Sequence, residues 1–248
     1  MKNNYCLQSK PDSNDFYIPA ESTPSEKFKC LVHFCPPIRN QKNLGSCASH
    51  GLITCYESEL IKKDKYIEMS ELYHYYNARL VDGNEKKNVG MTMRQSCKTL
   101  KQNGLSFEKY WPYYIDLYKF EPSAVNYWLN VFLNVHPKFK VKTYYIVDSI
   151  QDAIRWIDED NTIIAAGIKV FPAFMKAFNK SDITMDDIKN VDLSKYGGHC
   201  VNIIGYNLNA KQLLIRNSWG TEWGTYGYIW IDFDVWDEIC FEMRTVVV

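Results

Sequence analysis

Apolar and polar positions along the chain divide it into a helical first part and a stranded second part. Leu52, Tyr56, Leu60 and Lys63 follow helical spacing, Ile53 and Ile61 widen the apolar face, and no Gly or Pro interrupts the run from Leu52 to Lys63. This pattern predicts an amphipathic helix following residue 47, with Gly51 near its start costing about 1 kcal/mol relative to alanine. A second helix is expected from Ser70, which has the chemistry of an N-cap. A third is expected over residues 92–103, closed by Gly104. Beyond these, residues 141–147 alternate as a strand does, residues 149–157 read as a helix capped by Asp148 or Ser149, and residues 163–170 form an apolar strand. Residues 201–206, 212–216 and 227–232 are further short strands separated by Asn- and Gly-containing turns. Helices first and strands later predict an α+β fold. Residues 1–27, rich in Ser, Asn, Pro and Lys, read as an extended arm. The apolar stretch 28–37 is stopped by Pro36-Pro37, and the aromatic stretch 113–141 has no clear period.

Composition narrows the partners more than the fold. The 248 residues carry 29 basic and 29 acidic side chains, with no basic run, so nucleic acid and anionic membrane are not expected as principal partners. The N-terminus lacks the apolar core of a secretory signal, and no segment approaches the ~18 apolar residues of a membrane span. A protein working inside a cell is expected. The eight cysteines are read mainly as buried thiols, because a disulfide framework belongs to short secreted chains. Cys30 and Cys35 have no second cysteine or histidine pair nearby, so a zinc site is not expected there.

Three separated stretches carry the candidate chemistry: Gln41-Lys42-Asn43-Leu44-Gly45-Ser46-Cys47, Gly197-Gly198-His199-Cys200 and Asn217-Ser218-Trp219-Gly220. Together they supply a thiol, an imidazole, a carboxamide to orient that imidazole, and a second carboxamide able to donate to an oxyanion. Each alone has an ordinary reading: a buried cysteine, a solvated turn glutamine, a structural histidine at a strand start, a turn before a strand. Their order and spacing change that. A thiol at the start of a helix lies in the positive end of the helix dipole, which favours the thiolate. A cysteine near pKa 8.5 needs such help at neutral pH.

The set resembles the papain family of cysteine peptidases, from about Phe28 to the C-terminus. The longest match is Asn217-Ser218-Trp219-Gly220-Thr221-Glu222-Trp223-Gly224-Thr225-Tyr226-Gly227-Tyr228. The resemblance implies a two-lobe α+β fold, with a helical lobe over about 41–130, an antiparallel barrel-like lobe over about 131–248, and the site in the cleft between. It implies Cys47 as nucleophile, His199 as base, Asn217 as the orienting group, and Gln41 with the Cys47 N–H as oxyanion donors. Trp219 would cover the His199–Asn217 hydrogen bond, and Gly90 and Gly198 would border the substrate, a peptide or protein. The segment Trp111-Pro112-Tyr113 resembles a structural region of the family, and residues 240–245 would contribute to the side-chain pocket.

The chain also departs from the family pattern. Leu44 stands where secreted members have a disulfide cysteine, and Ala48 where most have tryptophan. His50, one turn beyond Cys47, has no orienting partner in its motif, so His199 is the expected base; His33, His50, His74 and His136 are read as packing or surface residues. Residues 1–27 do not resemble the long prosegment of secreted members, and this arm is the expected cover for the cleft. Acyl transfer to an amine or deubiquitination on the same residues, and an inactive peptide-binding module, are the competing readings. Lys-, Asn- and Tyr-rich composition is compatible with a viral or bacterial source.

Overall fold

The computed structural model describes residues 6–13, 15–17, 23–114 and 139–248; most of the aromatic stretch 113–141 and His136 lie outside them. The helical part contains α1 (Cys47–Ile61), α2 (Glu71–Leu80) and α3 (Met93–Gln102). The later part contains α4 (Ile150–Asp160), the short α5 (Pro172–Met175) and α6 (Phe233–Ile239). Three helices start where a hydroxyl caps them. Ser70 accepts from the Tyr73 N–H, Thr92 from Gln95 and Ser149 from Asp152, each cap contributing about 1 kcal/mol. Ser149 rather than Asp148 is therefore the cap of α4. Gly104 has φ +72° and its N–H returns to the Thr99 carbonyl, closing α3 as its sequence predicts.

The strands are β1 (Cys6–Leu7), β2 (Phe28–Cys30), β3 (Met91–Thr92), β4 (Thr143–Ile146), β5 (Ile164–Lys169), β6 (Asp182–Ile183), β7 (Gly198–Asn207), β8 (Gln212–Arg216), β9 (Tyr228–Asp232) and β10 (Cys240–Val247). The large sheet has the order β4-β10-β5-β7-β8-β9-β6, and β2 pairs with the second half of β7. Its pairs are antiparallel except β6 with β9. This corrects the barrel-like expectation: among the described residues the sheet is open, with β4 and β6 at its ends. Separately, β1 pairs in parallel with β3.

α1 also differs from its expected form. All of its residues except Glu59 and Ile61 are buried, so it is a central helix rather than an amphipathic one. It packs against β5, β7 and β10 on one side and against α2 and α3 on another. Gly51 permits the close approach: a Cβ there would lie 2.6 Å from Cys200 Sγ on β7. The buried carboxylate of Glu57 is met by Arg39 at 2.9 Å and by the Met69 N–H at 2.7 Å.

No element is expected past Asp232 from sequence, yet α6 and the interior strand β10 lie there. The strand lacks alternation because consecutive residues 243–246 are all buried. It also carries an arginine, Arg244, which is 1% exposed and paired with Asp15 and Glu242. Among the described residues no helix is long and apolar enough to cross a membrane, and no group of three metal-ligating side chains occurs.

Candidate active site

His199 lies near the start of β7, with its backbone in register with Ile168 of β5, and Asn217 directly follows β8. The ladder of β7 with β8 brings them together: His199 Nε2 is 2.8 Å from Asn217 Oδ1. That oxygen also accepts from the Ser218 N–H at 2.8 Å, which fixes the orientation of the carboxamide. An amide oxygen only accepts, so Nε2 carries the hydrogen and Nδ1 of the neutral ring is an acceptor. Nδ1 is buried and has no hydrogen-bond partner. The half-buried Trp219 lies over the imidazole with ring centroids 4.5 Å apart. Phe174 and Trp223 pack behind it, and the Trp223 indole donates to the Phe174 carbonyl.

The Gln41–Cys47 segment meets this half through backbone pairing. The Gln41 N–H donates to the Ser218 carbonyl at 2.8 Å and the Gly220 N–H to Arg39 at 3.1 Å. Gln41 Nε2 donates to the Leu44 carbonyl at 2.8 Å, and its Oε1 accepts from Ser218 Oγ at 2.7 Å. One Nε2 hydrogen remains for another acceptor. The turn is pinned from outside by Asn88, which accepts from the Gly45 N–H and donates to the Asn43 carbonyl, both at 2.8 Å. Cys47 begins α1 and is fully buried. Burial pushes its thiol up, and the neighbouring Cys6 adds to this; the N–H groups of Cys200, Ala48 and Cys47 itself act in the opposite direction. Burial likewise lowers His199 to about 4, against the favourable Asn217 hydrogen bond. Both shifts favour the uncharged forms of the thiol and the imidazole.

The N-terminal arm lies against this region. Cys6 stands opposite Met91 and Leu7 opposite Thr92 in the β1–β3 pair, directly after the half-buried Gly90. A Cβ on Gly198 would lie 2.0 Å from the Cys6 carbonyl oxygen, so only glycine lets the arm pass there. Cys6 is 2% exposed. Farther along, Asp15 is shared by Arg94 and Arg244, Ser9 N–H donates to Glu242 at 2.8 Å, and the Phe16 carbonyl accepts from Ile146 on the edge strand β4.

The family model described as papain family cysteine protease matches residues 26–247. The chain belongs to the papain family of cysteine proteases. Among family relatives, an uncharacterized peptidase C1-like protein of Acanthamoeba polyphaga mimivirus is 27% identical, over 90% of this chain and 78% of its own length. Human cathepsin L2 is also 27% identical, over 81% of this chain, which spans 58% of that relative. In structure, xylellain, a cysteine protease from Xylella fastidiosa, aligns over 100% of this chain and 96% of its own with TM-score 0.80 and 21% identity. The Carica candamarcensis cysteine protease solved in complex with E-64 aligns over 90% and 98%, with TM-score 0.65 and 19% identity.

Within this papain-family chain, the structure brings Gln41, Cys47, Gly198, His199, Asn217 and Trp219 into one region, while Gly90 immediately precedes β3, the strand that pairs with β1. His50 and His74 are buried on the helices. His50 Nδ1 lies 3.1 Å from the Ser46 carbonyl, and His74 bridges Ser49 and the Ser96 carbonyl. Both are lowered by burial. All eight cysteines are free thiols. Sequence reasoning assigned no part to Ser218, Asn88 or Ser46. Ser218 and Ser46 lie inside the Asn217–Gly220 and Gln41–Cys47 runs, which is the available signal; Asn88 acts through contacts that spacing does not reveal.

Proposed function

We propose that the protein hydrolyses peptide bonds through Cys47, His199 and Asn217, with Gln41 and the Cys47 N–H binding the oxyanion. One observation carries the reading: Asn217 occupies His199 Nε2 and leaves a buried, unpartnered Nδ1. A base so oriented takes the Cys47 proton as Sγ attacks the scissile carbonyl. The remaining Gln41 hydrogen and the Cys47 N–H stabilise the resulting oxyanion. His199 then protonates the leaving amine, and water hydrolyses the thioester by the reverse proton path. No metal or organic cofactor is needed. Gly90, Gly198 and Trp219 border the peptide.

The experiment is adduct mapping by mass spectrometry with an epoxysuccinyl peptide, on wild type, Cys47→Ala and His199→Ala, alongside a fluorogenic peptide assay. A single Cys47 adduct that slows in His199→Ala, with matching turnover, is expected. Labelling without cleavage of any peptide, or aminolysis outrunning hydrolysis when amines compete, would favour the acyl-transfer reading instead.

We also propose that the arm within residues 1–27 covers the substrate groove and must move before a peptide enters. The support is the β1–β3 pairing beside Gly90 and the contact of Cys6 with Gly198. Removing the Asp15 anchor in the full chain, as Asp15→Ala, is expected to speed iodoacetamide modification of Cys47 by about tenfold, corresponding to ~1.4 kcal/mol of arm attachment. An unchanged rate would reject the cover.

A further inference from the structure

We infer that Tyr113 is a positioning residue for the oxyanion donors, its hydroxyl pinning together the two backbone segments that carry them. This rests on the reading that Gln41 and the Cys47 N–H bind the oxyanion, and adds a residue that does not touch substrate.

Tyr113 Oη is 3.1 Å from the Gln41 carbonyl and 2.6 Å from Ser46 Oγ. Gln41 supplies one oxyanion donor, and Ser46 immediately precedes Cys47, which supplies the other. The hydrogen positions follow from what each atom can do. The Gln41 carbonyl only accepts, so the phenol donates to it. Tyr113 Oη then accepts from the Ser46 hydroxyl. The Ser46 carbonyl, in turn, accepts from His50 Nδ1 at 3.1 Å. All three hydrogens therefore run in one direction, and none is in conflict. The remaining donor to the Gln41 carbonyl is the Leu44 N–H, at a longer 3.3 Å, so the phenol makes the tighter of the two contacts.

Tyr113 is itself fixed. Its backbone N–H donates to Glu108 Oε1, and its ring meets His50 edge-on with centroids 4.9 Å apart at 83°. Removal of the hydroxyl alone takes away the pin and leaves this packing in place. The Gln41 and Cys47 donors then lose their fixed separation, while His199, Asn217 and the groove walls keep theirs. A loss confined to oxyanion binding is the signature. Removing one donor outright typically costs about 10²–10³ in kcat, so loosening both is expected to cost about tenfold.

The test uses the full-length protein and its Tyr113→Phe, Ser46→Ala and Gln41→Ala variants. Equilibrium affinity is measured for a peptide aldehyde, whose carbonyl carbon bonds to Cys47 Sγ and whose oxygen enters the donor site. It is compared with the affinity for the matching peptide amide and with the iodoacetamide rate at Cys47. The expected result is about tenfold weaker aldehyde binding and a similar fall in kcat in Tyr113→Phe. KM, amide affinity and alkylation rate remain at wild-type values. Ser46→Ala, which removes the other partner of the same hydroxyl, gives the same pattern. In the Gln41→Ala background the Tyr113→Phe loss shrinks, because the two act through one site. If Gln41→Ala weakens the aldehyde but Tyr113→Phe and Ser46→Ala do not, the positioning role is overturned. If Gln41→Ala itself leaves aldehyde binding unchanged, the oxyanion reading fails and this inference with it.

Discussion

The two halves of the site are held by different means. The His199 half rides on a sheet: β7 is paired with β5, β8 and β2, and the imidazole needs one side-chain bond to Asn217 and a cover of aromatic rings. The Cys47 half is a turn with no strand beneath it. Its shape depends on side chains from well-separated segments: Asn88, Tyr113 and Ser218. Sheet ladders resist local change because each residue shares its neighbours' hydrogen bonds, whereas a turn fixed by single contacts yields one contact at a time. Substitutions around His199 should therefore touch stability and rate together, and those around Gln41 should touch rate more than stability.

The largest expected effects test whether the halves act as one unit. Cys47→Ala and His199→Ala should each reduce kcat at least about 10³-fold, and the double variant should be no worse than either, because residues acting in one step are not additive. Additive losses in a peptide turnover assay would separate them. The next pair contrasts the halves directly. Gln41→Ala should lower kcat by about 10²–10³ at a smaller cost in thermal unfolding, because it strands the Leu44 carbonyl while the freed Ser218 hydroxyl can rotate. Asn217→Ala should lower kcat and also cost about 1–3 kcal/mol of stability, since the buried His199 Nε2–H and Ser218 N–H lose their acceptor. Equal unfolding midpoints for the two variants would contradict the contrast.

Behind the turn, Arg39 meets the buried Glu57 and Glu71 and the exposed Glu68. Burial raises Glu57 to about 7 despite the guanidinium. Arg39→Met should cost about 3–5 kcal/mol in chemical denaturation, because it strands buried carboxylates without their cation. The smallest effect concerns the arm. Burial acts to raise the Asp15 carboxyl, but the hydrogen bonds and charges of Arg94 and Arg244 outweigh it, leaving the pKa lowered. A lowered carboxyl contributes attachment above its unfolded value of about 3.9 and loses it as pH falls through the folded value. Iodoacetamide access to Cys47, corrected for thiol ionisation, should therefore rise only below about pH 4. Asp15→Asn should remove that dependence, and a profile identical to wild type would show that the arm is held elsewhere.

Much of this was written locally. Ser70, Thr92 and Ser149 mark helix starts, Gly104 a helix end, and residues 212–216 a strand, because caps and periodicity are short-range properties. The candidate residues Gln41, Cys47, His199 and Asn217 likewise stand out by type, order and spacing. β10 was hidden, since a strand buried at consecutive positions with Arg244 inside shows no alternation. The all-round burial of α1 was hidden for a related reason: its polar residues gain partners only from other elements. The sequence by itself therefore determined which chemical groups the protein carries and where its helices begin. Tertiary packing alone decided which imidazole nitrogen is left unpartnered, which hydroxyl joins the Gln41 and Ser46 segments, and where the arm lies. Those contacts join segments far apart in the chain, and their hydrogen bonds take direction only once both partners are buried in fixed positions.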